Sequence, residues 1–137
     1  MARADDSPAA RDRPLVIPEL SSGTGEAVLA GRVVWVGWGA EAPGRATSLE
    51  RFVRDDLRFP LAMRAWAPGD RMRTSGGSRK LKRIFLEARI PAPERRTLPV
   101  LADAKGEILW IPGVARSRVA TSPSGDSGAE RLLIGVA

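Results

Sequence analysis

Residues 60–85 read PLAMRAWAPGDRMRTSGGSRKLKRIF, and the fold prediction depends mainly on this segment. Near its start, Leu61 and Met63 alternate with smaller or polar residues, which predicts a β-strand with one apolar face. The Pro-Gly-Asp sequence at residues 68–70 then predicts a turn. The small residues at 74–78 predict a loop after it.

The second half of the segment predicts a helix over residues 78–89. Its apolar residues recur at the spacing of one helical face, namely Leu81, Ile84, Phe85 and Ala88. Ser78 is expected to cap the first turn, and Pro91 is expected to stop the helix from continuing. The remaining face is strongly basic, so the predicted helix is amphipathic.

Outside this segment, short apolar runs between turn residues predict a mainly β or α+β fold with one or two helices. The further predicted strands are at residues 15–17 (an edge strand), 26–38 (one or two strands), 51–54, 98–101, 108–111 and 132–136, and a helical turn is predicted at 93–96. A turn at 103–106 is expected to join two of these strands as a hairpin. Residues 1–13 are predicted to be a disordered leader and 121–129 a mobile loop. A single domain is therefore expected over residues 14–137.

The distribution of charge indicates a polyanionic partner. The chain has 22 Lys and Arg residues against 16 Asp and Glu residues, a net charge of +6. Nine of the basic residues but only three of the acidic ones lie between Asp70 and Arg96, so this segment carries the whole excess. A run of charge usually marks a solvated face, but here a single acid, Glu87, accompanies the basic residues of the helix. Phosphate groups are therefore a better explanation of the pattern.

The residue types that are missing exclude several kinds of chemistry. Histidine and cysteine are absent, so the chain has no imidazole base, thiolate nucleophile, disulfide or Cys/His zinc site. Gly76-Gly77-Ser78 lacks the spacing of a P-loop, and Asp55-Asp56 is typical of a turn. We therefore predict no catalytic residue and no metal site. No membrane span or signal sequence is recognisable, so a cytoplasmic protein is expected.

A series of separated motifs gives a more specific indication. In chain order they are PLAMRAWAPGDR at residues 60–71, GGSRKLKRIF at 76–85, Ile90-Pro91, Glu94-Arg95, LPVL at 98–101 and ILWIPG at 108–113. Their order and spacing resemble the C-terminal domain of tRNA(Ile)-lysidine synthase, with the densest agreement over residues 59–113. The loop at residues 72–78 is shorter than the family's usual loop.

This resemblance implies a fold and a biological context. The fold would be a β-sandwich of unusual topology with helices against it, like the domain that the phenylalanyl-tRNA synthetase β subunit shares with lysidine synthase. The family's enzyme uses ATP to join lysine to the wobble cytidine of isoleucine tRNA with a CAU anticodon. Its C-terminal domain is associated with the acceptor-stem side of that tRNA.

The family's catalytic domain, with its Ser-Gly-Gly-x-Asp-Ser loop, has no counterpart in this sequence. The resemblance therefore implies no cofactor in this chain, because ATP and lysine are used by the catalytic domain. A lysidine synthase catalytic domain is an expected partner, and whether the chain itself is part of an enzyme stays open.

The predicted function is tRNA binding through the basic segment. The residues expected to contact tRNA are Arg64, Arg71, Arg73, Arg79, Lys80, Lys82, Arg83 and Arg95. The family motif carries Arg64, Arg71 and Arg95, whereas the helix residues follow from both the charge pattern and the resemblance. Asp70 and Glu94 are expected to orient neighbouring arginines rather than to touch RNA.

A protein-interaction module is the alternative function. The basic segment would then dock an acidic partner or a separately encoded catalytic half of the enzyme, and tryptophans would anchor the interface. The four tryptophans are Trp35, Trp38, Trp66 and Trp110. Core packing is a more common role for them than base stacking, and Trp66 is of most interest because it borders the basic segment.

Overall fold

Two β-sheets and several short helices make up the part of the chain that the computed structural model describes, which comprises residues 12–19, 21–118 and 130–137. The strands are β1 (Leu15–Ile17), β2 (Gly23–Leu29), β3 (Arg32–Trp38), β4 (Ser48–Val53), β5 (Leu61–Ala65), β6 (Arg71–Thr74), β7 (Gly77–Lys80), β8 (Pro99–Ala102), β9 (Ile108–Ile111), β10 (Ala115–Arg116) and β11 (Arg131–Val136). The α-helices are α1 (Leu81–Glu87) and α2 (Ala92–Arg95), and short 3-10 helices cover Gly39–Gly44 and Arg54–Asp56.

The two sheets differ in size and in topology. The smaller sheet is antiparallel with the order β2-β3-β11-β4, so the last strand lies between two early ones. The larger sheet has the order β1-β5-β8-β9-β6-β7, and β10 also pairs with β9. Within the described residues its pairings are antiparallel, except that β6 runs parallel to β9. The β6–β7 pair therefore lies at one end of the larger sheet.

The main apolar core lies between the two sheets, so the fold is a β-sandwich. Val36 and Ile134 from the smaller sheet and Met63 from the larger one are fully buried in the same cluster. Phe52 and Trp110 also meet across the sheets, edge to face, with ring centroids 6.0 Å apart. Each such side chain contributes about 1.5–3 kcal/mol through burial, which holds the two sheets together.

Helix α1 covers the other face of the larger sheet. Its residues Leu81, Ile84 and Phe85 are buried in a second apolar cluster with Met72 of β6 and Ile108 of β9. The predicted apolar stripe is therefore confirmed for these three residues, whereas its fourth member, Ala88, follows the last residue of the helix and is exposed. Because this stripe faces the sheet, the basic residues of the helix are turned outward.

Most of the other predicted elements are present as well. The mainly β fold class is confirmed, and so are the edge strand β1 and the β8–β9 hairpin. Residues 1–11 of the predicted leader and the predicted loop at 121–129 lie outside the described residues. Arg13 pairs with Val28 through two backbone hydrogen bonds of 2.8 and 2.9 Å, so contacts with the sandwich already begin before residue 14.

The predicted helix start and the predicted loop before it are wrong. Residues 78–80 belong to β7, and the helix begins only at Leu81. The expected loop is a tight hairpin in which Thr74 is opposite Gly77. Gly77 has a φ of 100°, a left-handed conformation that glycine adopts easily and that tight hairpin turns need. The backbone hydrogen bonds of this hairpin keep the chain extended where the sequence pattern predicted helix.

Candidate nucleic-acid interface

The turn between β5 and β6 is built around Asp70. Its backbone N–H donates to Ala67 O over 3.0 Å, and Gly69 has a φ of 96°, as a type II turn after Pro68 requires. The Asp70 carboxylate accepts hydrogen bonds from Ala67 N (2.7 Å) and from both Nη atoms of Arg64 (2.9 and 3.1 Å). This two-pronged ion pair holds the turn against β5.

The same turn also positions the start of α1. The Leu81 N–H donates to the Asp70 carbonyl oxygen over 3.0 Å, so the end of β7 returns to the beginning of β6. Between these two points, the hairpin places four exposed residues on one face, namely Arg71, Arg73, Ser78 and Lys80. Met72 alternates to the opposite face and is buried. Arg79 is opposite Met72 and shares this second face, but it is only half-buried. The hairpin therefore has a basic outer face, and its inner face is apolar at Met72.

A groove of about 430 Å³ lies where this hairpin meets α1. It is lined by Arg71, Ser78, Arg79, Lys80, Lys82, Arg83 and Leu86, and we call it the basic groove. Five of the eight residues predicted to contact tRNA therefore converge on one surface. Two elements supply them, the hairpin and the outward face of α1.

The cations of the basic groove differ in whether a carboxylate neutralises them. Arg79 Nη1 lies 2.5 Å from Glu87 Oε1, and Arg83 Nε lies 3.9 Å from Glu87 Oε2. Both arginines thus share one acid. Lys80 and Lys82 are exposed and have no carboxylate partner among the described residues. Their positive charge is therefore the part of the groove that is most available to an anion.

Arg71 and Arg73 extend the basic surface along the hairpin. Arg71 donates from Nε to Ser78 Oγ (2.9 Å) and from Nη2 to Ser78 O (3.3 Å). Ser78 therefore orients Arg71 instead of capping a helix, as the sequence predicted. Arg73 Nε lies 3.3 Å from Glu107 Oε1, although the Arg73 side chain remains largely exposed. Arg71 is thus held in place without being neutralised, whereas Arg73 has an acidic partner.

Two of the residues predicted to contact tRNA make contacts within the protein. Arg64 is half-buried and directs both Nη atoms to Asp70. Arg95 is only 9% exposed, donates from Nε to Ile90 O (2.9 Å) and lies over the Phe85 ring at 5.7 Å from its centroid. The guanidinium groups of Arg64 and Arg95 are therefore engaged within the protein, and their contact with tRNA stays a prediction.

The two acids predicted to orient arginines behave differently. Asp70 does hold an arginine, since it pairs with Arg64. The Glu94 carboxylate has no ion pair or hydrogen bond with any residue in the described ranges, and the hydrogen bonds of Glu94 are made by its backbone, with Pro91 and Thr97. An orienting role for Glu94 is therefore not supported.

Two further cations beside the hairpin were not predicted from the sequence. Arg58 and Lys105 are exposed and line a second depression, of about 620 Å³, next to the basic groove. They come together because Ala104 N donates to Arg58 O over 2.8 Å. Both lie outside the segment that carries the charge excess, so composition contained no signal for them.

The tryptophans pack in the protein rather than line the groove. Trp35, Trp38 and Trp110 are buried, which confirms core packing for these three. Trp66 is half-buried and packs edge to face on Phe85, with ring centroids 5.2 Å apart. It does not line the basic groove, which therefore has no aromatic lining.

Two other features are absent from the described part of the chain. No group of three or more acidic side chains there is arranged to hold a metal ion. No helix in the same ranges has the length and hydropathy needed to cross a membrane.

Comparison with known proteins identifies the family. The sequence pattern of the family described as "TilS substrate C-terminal domain" matches residues 61–132, which is more than half of the chain. The chain belongs to this family. The matched region begins at β5, includes the whole basic groove and ends within β11.

Relatives of this family share the same region. A bifunctional protein TilS/HprT from Listeria innocua is 51% identical over 65 residues, which cover 46% of this chain and 10% of the relative. A tRNA(Ile)-lysidine synthase from Bacillus subtilis is 46% identical over 63 residues, covering 44% of this chain and 13% of the synthase. The tRNA(Ile)-lysidine synthase from Geobacillus kaustophilus is 42% identical over 84 residues, which cover 58% of this chain and 18% of the synthase. The matched region is therefore less than a fifth of the length of these relatives.

A solved structure supports the fold assignment. It is described as a crystal structure of the TilS C-terminal domain and superposes with a TM-score of 0.59 at 29% identity. The superposition covers 89% of this chain and 88% of the other. The structural similarity thus extends well beyond the residues that match in sequence.

Proposed function

We propose that this chain is the tRNA-binding domain of a tRNA(Ile)-lysidine synthase, and that its basic groove binds the acceptor-stem side of isoleucine tRNA with a CAU anticodon. The observation that carries the proposal is the convergence of Arg71, Lys80 and Lys82, which have no carboxylate partner in the described part of the chain. Such cations attract phosphates, and the release of counterions drives their binding. Because tRNA is the partner, we expect the chain to act in the cytoplasm.

The composition of the groove favours a helical stem over single-stranded bases. The groove has no aromatic lining on which an unpaired base would stack. Arginine and lysine contact phosphate oxygens without reading the sequence, and double-stranded RNA is recognised mainly by its shape and backbone. A stem such as the acceptor stem is therefore the part of tRNA that fits this surface best.

In this proposal the chain supplies affinity and substrate selection, while the chemistry takes place in a separate catalytic domain. That domain would use ATP and lysine to modify the wobble cytidine. The comparisons support this division, because relatives named tRNA(Ile)-lysidine synthase contain the matched region as less than a fifth of their length.

Fluorescence anisotropy with labelled isoleucine tRNA carrying the CAU anticodon tests the proposal. An unrelated tRNA and a DNA duplex serve as competitors, and each titration is repeated over a salt series. We expect binding that weakens as salt increases and that prefers the isoleucine tRNA. Equal binding to all three nucleic acids, or no binding to any, would contradict the assignment.

A pair of substitutions locates the binding surface. Lys80→Ala combined with Lys82→Ala removes two phosphate contacts, so binding should weaken by about 30-fold near 0.15 M salt and the log–log salt slope should fall by about two. Arg32→Ala combined with Arg51→Ala removes the same charge from exposed positions on the smaller sheet. If both variants lost affinity equally, net charge rather than the groove would determine binding.

A protein partner is the second candidate for the basic groove. Leu86 favours it, since this side chain is 58% exposed and lies beside the cations of the groove. An acidic partner with an apolar contact, such as a separately encoded catalytic domain, would use both features. Size-exclusion chromatography distinguishes the two candidates. A stoichiometric complex with a protein partner survives nuclease treatment, whereas a complex with tRNA is lost.

A further inference from the structure

A second basic depression adjoins the basic groove along the β6–β7 hairpin. It has a volume of about 620 Å³, and its cations are Arg58, Arg71, Arg73 and Lys105. Arg71 and Ser78 line both the depression and the groove. The two concavities are therefore neighbours that share one arginine.

Contacts between separate segments hold the cations of this depression in place. Ala104 N donates to Arg58 O over 2.8 Å, which attaches the chain before β5 to the β8–β9 turn. That turn is organised by the buried Asp103, whose Oδ1 accepts hydrogen bonds from Lys105 N (2.9 Å) and Glu107 N (3.0 Å). The backbone positions of both cations are thus set by the fold and not by a long loop.

The balance of charge in the depression favours an anion. Two acids also line it, but both are already paired, Asp70 with Arg64 and Glu107 with Arg73. The cations that have no carboxylate partner within the described residues are Arg58, Arg71 and Lys105. The charge left uncompensated there is therefore positive.

The backbone of the depression also leaves room for a ligand to approach closely. Gly69 and Gly106 line it with φ values of 96° and 85°, and a Cβ atom added at either would have no neighbour within 4 Å. No side chain covers the main chain at these two points. A phosphodiester group can therefore lie against the two turns.

We propose that this depression is a second phosphate-binding site, which holds the stretch of tRNA backbone adjacent to the one in the basic groove. This inference rests on the proposed function of the groove. Arg71 lies between the sites and serves both, while Arg58 and Lys105 serve only the second one. The tRNA footprint is accordingly longer than the groove alone provides.

Arg58→Ala combined with Lys105→Ala in the full chain tests the inference. The substitutions leave the hydrogen bond from Ala104 to the Arg58 carbonyl available, so the turn should be retained. We expect anisotropy titrations with the CAU isoleucine tRNA to show about tenfold weaker binding near 0.15 M salt, with the log–log salt slope lowered by one to two. The charge-conserving variant, Arg58→Lys with Lys105→Arg, should bind like the parent chain.

Two controls separate failure of this inference from failure of the proposed function. Arg32→Ala with Arg51→Ala again removes equal charge elsewhere, and Lys80→Ala with Lys82→Ala disrupts the groove. If the groove variant binds weakly while Arg58→Ala with Lys105→Ala matches the charge control, the second site is wrong and the proposed function stands. If all three variants bind alike, the proposed function is wrong and the second site fails with it.

Discussion

The cations of the basic groove differ from Arg64 and Arg95 in what surrounds them. In the groove, Lys80 and Lys82 are exposed and no carboxylate of the described residues neutralises them. Outside the groove, Arg64 directs its guanidinium group to Asp70, and Arg95 directs its own to the Ile90 carbonyl oxygen. A basic residue in a sequence motif is therefore a ligand-binding candidate only where the fold leaves it unpaired.

The physical reason for the difference is the cost of removing charge from water. A buried or half-buried guanidinium needs an ion pair, hydrogen bonds or a ring contact within the protein, or its desolvation destabilises the protein. Arg64 and Arg95 meet this condition inside the protein. An exposed lysine remains hydrated and exchanges its counterions for phosphate only when the ligand arrives. Four predictions, from the largest expected effect to the smallest, test whether the groove cations affect tRNA binding while Arg64 and Arg95 affect stability.

Charge reversal in the groove should have the largest effect. Lys80→Glu combined with Lys82→Glu replaces attraction by repulsion, so we expect tRNA binding to weaken by more than about 100-fold near 0.15 M salt, or about 2.7 kcal/mol. Arg32→Glu with Arg51→Glu changes the net charge equally but should weaken binding by less than about fivefold. Anisotropy measures both variants. Similar losses would mean that general electrostatics, and not a dedicated surface, binds the tRNA.

Asp70→Ala should have the next largest effect. This substitution should lower the stability of the protein rather than remove a contact with phosphate. It leaves Arg64 half-buried without its partner and removes the acceptor for Ala67 N–H, so the free energy of unfolding should fall by about 2 kcal/mol. Urea denaturation measures this change. Asp55→Ala, at an exposed acid, is the control and should cost less than about 0.5 kcal/mol. Equal stability of the two variants would show that the Arg64–Asp70 pair does not hold the turn.

Arg95→Ala should also destabilise the protein, by about 1–1.5 kcal/mol, because the Ile90 carbonyl loses its donor and the Phe85 ring loses its cation. The salt slope of tRNA binding should stay unchanged. Arg96→Ala provides a matched control at the exposed neighbouring arginine and should cost less than about 0.5 kcal/mol. A lower salt slope with unchanged stability would instead place Arg95 among the tRNA contacts.

Glu87→Gln should produce the smallest effect, and in the favourable direction. Removal of this carboxylate frees Arg79 and Arg83 for phosphate, so tRNA binding should become about threefold tighter. Glu26→Gln removes one negative charge from an exposed position on β2 and controls for net charge. If the two variants bind equally, the partner of these arginines is irrelevant to the groove.

Local patterns in the sequence predicted much of the fold. The spacing of Leu81, Ile84 and Phe85 identified the buried face of α1, because helical periodicity depends only on neighbouring residues. Turn residues between two apolar runs likewise identified the β8–β9 hairpin. The start of α1 could not be predicted in this way, because residues 78–80 pair with β6 and this pairing prevails over the local helical pattern.

The candidate site was predicted less completely than the fold. The charge excess predicted one segment as the site, and five of its cations line one groove. The same excess could not show that Arg95 is buried, nor that Arg58 and Lys105 lie beside the hairpin. Burial and proximity depend on contacts between residues that are distant in the sequence, and composition contains no information about such contacts.

Composition and periodicity alone are thus enough to specify a basic, mainly β domain with one amphipathic helix, and the motif order is enough to indicate its family. Pairing between distant segments settles which cations face solvent. Asp70 neutralises Arg64, Ser78 orients Arg71, and Ala104 places Arg58 next to Lys105. These outcomes depend on tertiary structure because the energy of a charge is set by its solvation and its nearest partners, and folding determines both.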